Sequence, residues 1–299
     1  MIDHRLKVFI EVANKGNITT VATDRFVSQP AISKQIRSLE QELNVKLFHR
    51  SRRSGMVLTD VGKEILALAK QQAEIGNRIY QAAYRENNLI EGKLRIAAIP
   101  ILSTTLLSRA LSIYHQKYPN VSVEIMEGTS REVRKMVTDY TVDFGLANSP
   151  FPDVDYDVLI PDNKMMGLFP PDAENIPDEI DLRDGTDHMI ICRSGTETML
   201  EELSGKHKIS FAKTLMFEDP HTVLQMVQNG NGIGILSKFT LAVIPNQMQT
   251  CRILPQFTID IGIVANSLDN LTPAAEEFRK VLKSIAEQCR LLNDDAREE

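Results

Sequence analysis

At 299 residues, with 42% hydrophobic and 25% charged side chains, the chain has an ordinary globular composition and length for two or three domains. Nothing approaches 18 uninterrupted apolar residues and no signal-peptide pattern opens the chain, so the expectation is a cytoplasmic protein with no membrane span. The net charge of −6 divides unevenly: residues 1–60 carry about 10 Lys+Arg against about 6 Asp+Glu, so a basic head, suited to phosphate, precedes an acidic body.

Residues 3–15 predict an amphipathic helix with Leu6, Phe9, Ile10 and Ala13 inward, ending near Lys15-Gly16. The stretch Asn17 to Glu40 then reads as a short helix, a tight connection and a second helix. Ser28 is a good N-cap, and Pro30 sits in the first turn, where a missing N–H costs little. Ala31, Ile32, Ile36, Leu39 and Leu43 fall on one stripe, while Gln29, Ser33, Lys34 and Arg37 lie on the exposed side. Apolar behind and hydrogen-bond donors in front is the layout of a helix-turn-helix recognition element, so double-stranded DNA is the expected partner.

Val45 to Arg50 and Met56 to Thr59 predict two short strands around the basic tip Ser51-Arg-Arg-Ser-Gly55. That makes the head a winged helix-turn-helix, with Arg50, Arg52 and Arg53 placed to touch the DNA backbone or minor groove. From Asp60 a helix runs to about Asn87. Val61, Ile65, Leu68, Gln72, Ile75, Ile79 and Ala82 alternate in steps of four and three, the seam of a dimerising coiled coil. A helix packed on its own domain shows similar stripes, and both readings stand at this point.

Past Gly92 the periodicity changes. Leu94 to Ile99, Val121 to Met126 and Val142 to Ala147 read as strands, separated by helices at about 103–117 and from about Thr129. A second run of candidate strands covers Met165 to Phe169, His188 to Cys192, Thr214 to Phe217 and Gly234 to Leu236, and Thr272 to Cys289 is a closing helix. Alternation of this kind predicts an α/β fold around a largely parallel sheet. Gly230-Asn-Gly-Ile-Gly234 lacks the spacing of a nucleotide loop and reads as a tight turn between helix and strand. The three cysteines, Cys192, Cys251 and Cys289, are far apart and fit neither a disulfide framework nor a zinc cluster; burial is their default reading. His188, His207 and His221 lack metal-ligand spacing. No metal or cofactor is expected.

The chain resembles the LysR-type transcriptional regulators over nearly its whole length. The resemblance rests on Ser28-Gln-Pro-Ala-Ile-Ser-Lys-Gln-Ile-Arg-Ser-Leu-Glu-Gln-Glu-Leu43, Leu47-Phe-His-Arg50 and Leu58-Thr-Asp-Val-Gly62. In the body it rests on Gly92-Lys-Leu-Arg-Ile96, Tyr118-Pro119, Asp143-Phe-Gly-Leu146 and Gly230 to Leu236. It implies a winged helix-turn-helix at 1–59, a dimerising linker helix at 60–89, and a two-lobed effector domain, similar to periplasmic binding proteins, at 90–299. The chain would cross between lobes near Ile160-Pro161 and Asn266-Ser267, placing about 93–160 and 268–299 in lobe I and about 162–266 in lobe II. Departures are Val21, Arg25 where leucine is usual, Asn44 for glycine and Arg52 for a wing glycine; Phe26 is expected to take over some packing lost at Arg25.

The resemblance also implies sites. The DNA face would be Gln29, Pro30, Ser33, Lys34 and Arg37, with Arg50 and Arg53 on the wing. A small, anionic metabolite would bind between the lobes against helix starts, with Ser103, Thr104, Thr129, Ser194 and Thr196 as candidates, although helix capping explains each hydroxyl equally well. A bacterial homodimer pairing further into a tetramer would read interrupted near-palindromes, with RNA polymerase a further candidate partner. The rival reading is an enzyme or a solute-binding protein. The sequence carries no nucleophile elbow, paired carboxylates or metal constellation, and no catalytic residue is expected.

Overall fold

The computed structural model describes residues 3–51, 55–86, 92–184, 188–193, 196–210 and 213–295. Contacts divide the chain into two compact units, Met1–Leu89 with Asp139–Thr141, and Ile90–Thr138 with Val142–Glu299.

The first unit opens with α1 (His4–Lys15), capped by the Asp3 carboxylate and ended by Gly16 at φ 62°. Its fully buried face is Val8, Phe9 and Val12, with Leu6, Ile10 and Ala13 at the margins. Helix α2 (Ile18–Asp24) starts where the Asn17 side chain accepts from the Thr19 and Thr20 amides, at 2.7 and 3.4 Å. Helix α3 (Gln29–Leu43) follows Ser28, which holds the N-cap position in extended backbone but, unlike the expectation, makes no side-chain capping bond; Asn44 ends the helix in the left-handed region that Asn tolerates. Of the predicted stripe, Ile32, Ile36 and Leu39 are buried against α1 and α2, whereas Ala31 is half-buried and Leu43, at the end of the helix, is exposed.

Arg25 is no hole in this core. It caps α2 and reaches across α1, donating to both carboxylate oxygens of Glu11 at 2.6 and 2.7 Å. Phe26 takes over no packing: it lies in the left-handed region, φ 55°, and is 96% exposed. The expected compensation is therefore made by an ion pair and not by the ring.

Strands β1 (Phe48–Ser51) and β2 (Gly55–Leu58) form the antiparallel wing, with Arg50 opposite Met56. Two ties fix it. Glu40, only 8% exposed, accepts from the Leu47 amide at 2.9 Å, the Phe48 amide at 3.5 Å and the Lys46 ammonium at 2.9 Å. Burial alone would raise its pKa, but the Lys46 ammonium and the two amides outweigh burial and hold the carboxyl below its ordinary value. On the other side the Met56 amide donates to the Gly16 carbonyl at 3.0 Å. Helix α4 (Asp60–Glu86) then starts on Thr59, whose hydroxyl accepts from the Gly62 amide at 2.9 Å and donates to the Lys46 carbonyl at 2.7 Å. A Cβ on Gly62 would stand 2.2 Å from the Leu47 carbonyl oxygen, so the Thr-Asp-Val-Gly pattern is a close-packed helix start.

Along α4 the predicted stripe divides. Ile65, Leu66 and Ala69 pack on the unit's own core. Beyond them Leu68, Ile75 and Ile79 are more than half exposed.

In the second unit, β3 (Gly92–Ala98) leads into one helical run made of α5 (Pro100–Leu102), a π-helical turn at Ser103–Leu107, and α6 (Ser108–Lys117). Strand β4 (Val121–Glu127), helix α7 (Ser130–Thr138) and strand β5 (Phe144–Asn148) follow. Strand β3 lies parallel between β4 and β5. Asp143 fixes this edge by accepting from the Arg95 amide at 2.6 Å, and Gly145 lets α7 approach, since a Cβ there would meet Val133 at 2.4 Å.

The long β6 (Asp155–Phe169) then passes from one lobe to the other. Next come β7 (Glu179–Asp181), β8 (Met189–Cys192), α8 (Glu197–His207), β9 (Leu215–Phe217) and α9 (Pro220–Gln228). The chain continues through β10 (Ile233–Ser237), α10 (Lys238–Val243), β11 (Gln249–Leu254), β12 (Thr258–Ala265) and α11 (Pro273–Asp295). In lobe II, β10 lies parallel to β8 and antiparallel to β6, and β8 pairs with β9. Strand β12 returns antiparallel to β5 and β6. Helix α11 closes lobe I, where Tyr114 donates to the Ala274 carbonyl at 2.9 Å and stacks 4.8 Å from Phe278.

The second crossing differs from the expectation of Asn266-Ser267. Phe257 and Ile259 still pack in the core of lobe II, while Ile261 packs in that of lobe I and begins the pairing with β5, so the chain returns at Asp260, within β12. The first crossing falls within β6, at Asp162 with φ 50°; β6 pairs with β12 up to Lys164 and with β10 from Met165.

Candidate DNA-binding face and interlobe pocket

Helix α3 presents Gln29, Pro30, Ser33, Lys34 and Arg37 to a single open recess of about 840 Å³. The burial of Ile32, Ile36 and Leu39 behind fixes this rotation, because residues three and four apart share a face. Asn17 and Thr19, at the start of α2, line the same recess; the sequence marked them only as a helix start. Arg50 lies on β1, and Arg53 lies outside the described residues, as does Ser194.

The pocket between the lobes is built at strand ends. Asn148 closes β5, Cys192 closes β8, Glu218 follows β9 and Ser237 closes β10. Carboxyl ends of strands are where open α/β sheets hold ligands. Thr196, Thr240 and the apolar Ile101, Leu236 and Ile259 complete the wall around a free volume of about 20 Å³, room for one water.

Of the five effector candidates, the structure brings Thr196 into this pocket. It is buried, and its hydroxyl bonds the Cys192 carbonyl. Thr104 is exposed and donates back to the Ile101 carbonyl at 3.1 Å, while the Ser103 hydroxyl is buried in the π-helical turn without a hydrogen-bond partner. Thr129 is engaged in a capping box. Its amide and hydroxyl donate to Glu132 at 2.8 and 2.9 Å, and the Glu132 amide returns a bond of 3.3 Å. Those bonds hold the Glu132 carboxyl below its ordinary pKa.

Two helix starts of this unit already carry carboxylates. Glu132 occupies the start of α7, and the Asp219 side chain caps α9. Among the described lining residues, Glu218 carries the only charge, and Arg193 stands 3.9 Å from it. Arg131 of α7 and Glu201 of α8 pair at 2.6 Å and link the two lobes, but both are exposed. Cys192, Cys251 and Cys289 are buried free thiols, and burial raises the last two pKa values.

Residues 4–63 match the bacterial regulatory helix-turn-helix of the lysR family, and residues 87–286 match the LysR substrate binding domain. This chain belongs to the LysR family. The HTH-type transcriptional regulator YoaU of Bacillus subtilis (strain 168) is 40% identical over 284 residues, covering 94% of this chain and 98% of its own. The full-length structure of an OxyR variant from Pseudomonas aeruginosa superposes with a TM-score of 0.71 at 22% identity, covering 95% of this chain and 97% of that one. Full-length CbnR complexed with its target DNA gives a TM-score of 0.56 at 20% identity, covering 94% and 98%. Both structures carry the fold.

This LysR-family protein is a DNA-binding transcriptional regulator with an effector domain; its family is not one of enzymes. Among its described residues no helix is long and apolar enough to cross a membrane.

Proposed function

We propose that this LysR-family regulator contacts DNA through Gln29, Pro30, Ser33, Lys34 and Arg37, with Arg50 and Arg53 of the wing. The observation that carries this reading is the shared recess on the exposed face of α3. Gln29 has the paired donor and acceptor for adenine, while Lys34 and Arg37 suit phosphate or guanine. In gel shifts with the promoter region beside the gene, Gln29→Ala should relax base preference. Arg50→Ala should weaken binding to every sequence alike, by about tenfold. Wild-type behaviour from both variants would remove this face from consideration.

The protein acts in the cytoplasm of a bacterium as a dimer, pairing further into a tetramer on an interrupted near-palindrome, with RNA polymerase as a further partner. The exposed stripe of Leu68, Ile75 and Ile79 supports the dimer. Leu68→Glu combined with Ile75→Glu should halve the mass measured by sedimentation; an unchanged mass would place the interface elsewhere.

The effector binds between the lobes, where Asn148, Thr196, Ser237 and Thr240 offer hydrogen bonds. The Glu132 and Asp219 carboxylates at the nearby helix starts, with Glu218 in the wall, favour an uncharged or amine-bearing molecule over an anion. Its differential affinity for open and closed lobes is what alters DNA affinity. In thermal-shift measurements on the full chain, propionamide or propylamine should raise the melting temperature by about 2–5 °C, and propionate should not. A rise with propionate alone would reverse the assignment of charge.

A further inference from the structure

Between α2 and α3 the chain does something that folding alone does not explain. Phe26 is 96% exposed and its neighbour Val27 is 45% exposed, so the turn presents apolar surface to water. The ring also stands on a left-handed residue, φ 55°, a conformation that is a true outlier for a bulky side chain. Glycine or asparagine would close this turn with less strain. The geometry is nonetheless firmly held. The Phe26 amide donates to the Thr23 carbonyl at 3.1 Å, the Val27 amide to the Ala22 carbonyl at 3.0 Å, and Arg25 is pinned to Glu11. The turn is the helix-ending cap of α2 and accounts for the backbone, but not for a bare phenylalanine at its left-handed position, and a bound partner would supply the return for that strain and exposure.

Its place in the chain indicates which partner. Phe26 stands two residues before the N-cap Ser28, and the next residues, Gln29 and Pro30, line the recess of α3. In a helix-turn-helix the first residues of the recognition helix are those that reach base edges. Lys34 and Arg37 on the same helix draw a polyanion to this surface. The apolar group that a DNA major groove offers is the thymine C5-methyl, and phenylalanine is among the side chains that pack on it.

We infer that Phe26 is a DNA-contacting residue, its ring held in advance by the α2–α3 turn to pack on a thymine methyl group in each half-site. The inference rests on the reading of α3 as the DNA face. It adds an apolar base contact to a face otherwise made of hydrogen-bond donors and cations.

The test uses full-length protein and the operator duplex. Phe26→Asn should raise the melting temperature by about 2 °C, because it relieves strain and exposure together, while weakening operator binding by about tenfold. A residue that merely supported the fold would move both quantities in the same direction. Uracil should then replace thymine one position at a time. Wild-type affinity should fall by about fivefold at one position per half-site, and Phe26→Asn should ignore that replacement. The inference is overturned if Phe26→Asn binds as wild type while Gln29→Ala is impaired, or if both proteins respond alike to every uracil. If Gln29→Ala and Phe26→Asn both bind as wild type, the α3 face itself has failed and the inference falls with it.

Discussion

Glu40→Ala should remove about 3 kcal/mol from the stability of the DNA-binding unit. The carboxylate is buried at the end of the recognition helix and accepts from the Leu47 and Phe48 amides and the Lys46 ammonium. Alanine leaves two buried N–H groups without an acceptor, which costs more than the loss of an exposed pair. Glu40→Gln keeps an acceptor in place and should lose only about 1 kcal/mol. The wing is tied to α3 through this side chain, so operator binding should weaken in step with stability.

The same group gives a pH dependence. Its folded pKa lies below the ordinary carboxylate value, so it contributes stability above the unfolded pKa of about 4.3, and that contribution is lost as pH falls through the folded value. Urea unfolding of wild type and Glu40→Gln should therefore converge on acidification below about pH 4. Parallel curves at all pH values, or an Ala variant as stable as wild type, would show that the three bonds to Glu40 carry little.

Gly232→Ala should be the most damaging single-methyl change in the second unit, lowering stability by about 3–4 kcal/mol. A Cβ there would lie 1.9 Å from the His188 carbonyl oxygen, at the point where the Ile233 amide donates to that oxygen at 3.0 Å. The residue also sits at φ 148°, a conformation side chains rarely adopt. Relief would require β10 to move off β8, and β10 delivers Leu236 and Ser237 to the pocket. Gly205→Ala is the control: it lies on α8 with nothing within 4 Å, and alanine there should gain up to about 1 kcal/mol. Calorimetry on both variants settles the comparison; equal melting temperatures would mean that the turn relaxes without strain.

Features written in local chemistry were legible before any coordinates. Pro30 and the Ile32-Ile36-Leu39 stripe specify α3 within ten residues, and the exposed donors follow from its rotation, although the Ser28 hydroxyl makes no capping bond. The capping box of Thr129 was equally local, since Thr-Ser-Arg-Glu is the reciprocal pattern, and it accounts for a hydroxyl that the family resemblance had offered to a ligand. Arg25 stands where the family resemblance implies a buried leucine, but the long side chain need not fill that space. Its long side chain leaves the core altogether and meets Glu11, fourteen residues earlier.

What stayed hidden was non-local. The pocket gathers Asn148, Glu218 and Ser237 from the ends of separate strands, and no short window contains that convergence. The extent of β6 and the existence of β7, β11 and β12 follow from a related cause: pairing with segments distant in sequence, and not alternation within a segment, makes them strands.

Strand β6 constrains how the lobes move. Its first two-thirds is hydrogen-bonded to β12 and its last third to β10 and β11, so one continuous backbone is a member of both sheets. Sliding one lobe past the other would tear a ladder at every pair at once. Flexing at Asp162, opposite the register shift at Asp260 of β12, disturbs few bonds. The body therefore has the mechanics of a book bound along a spine: pages that open and shut through an angle, with shear forbidden, so a molecule in the gutter is felt as rotation alone.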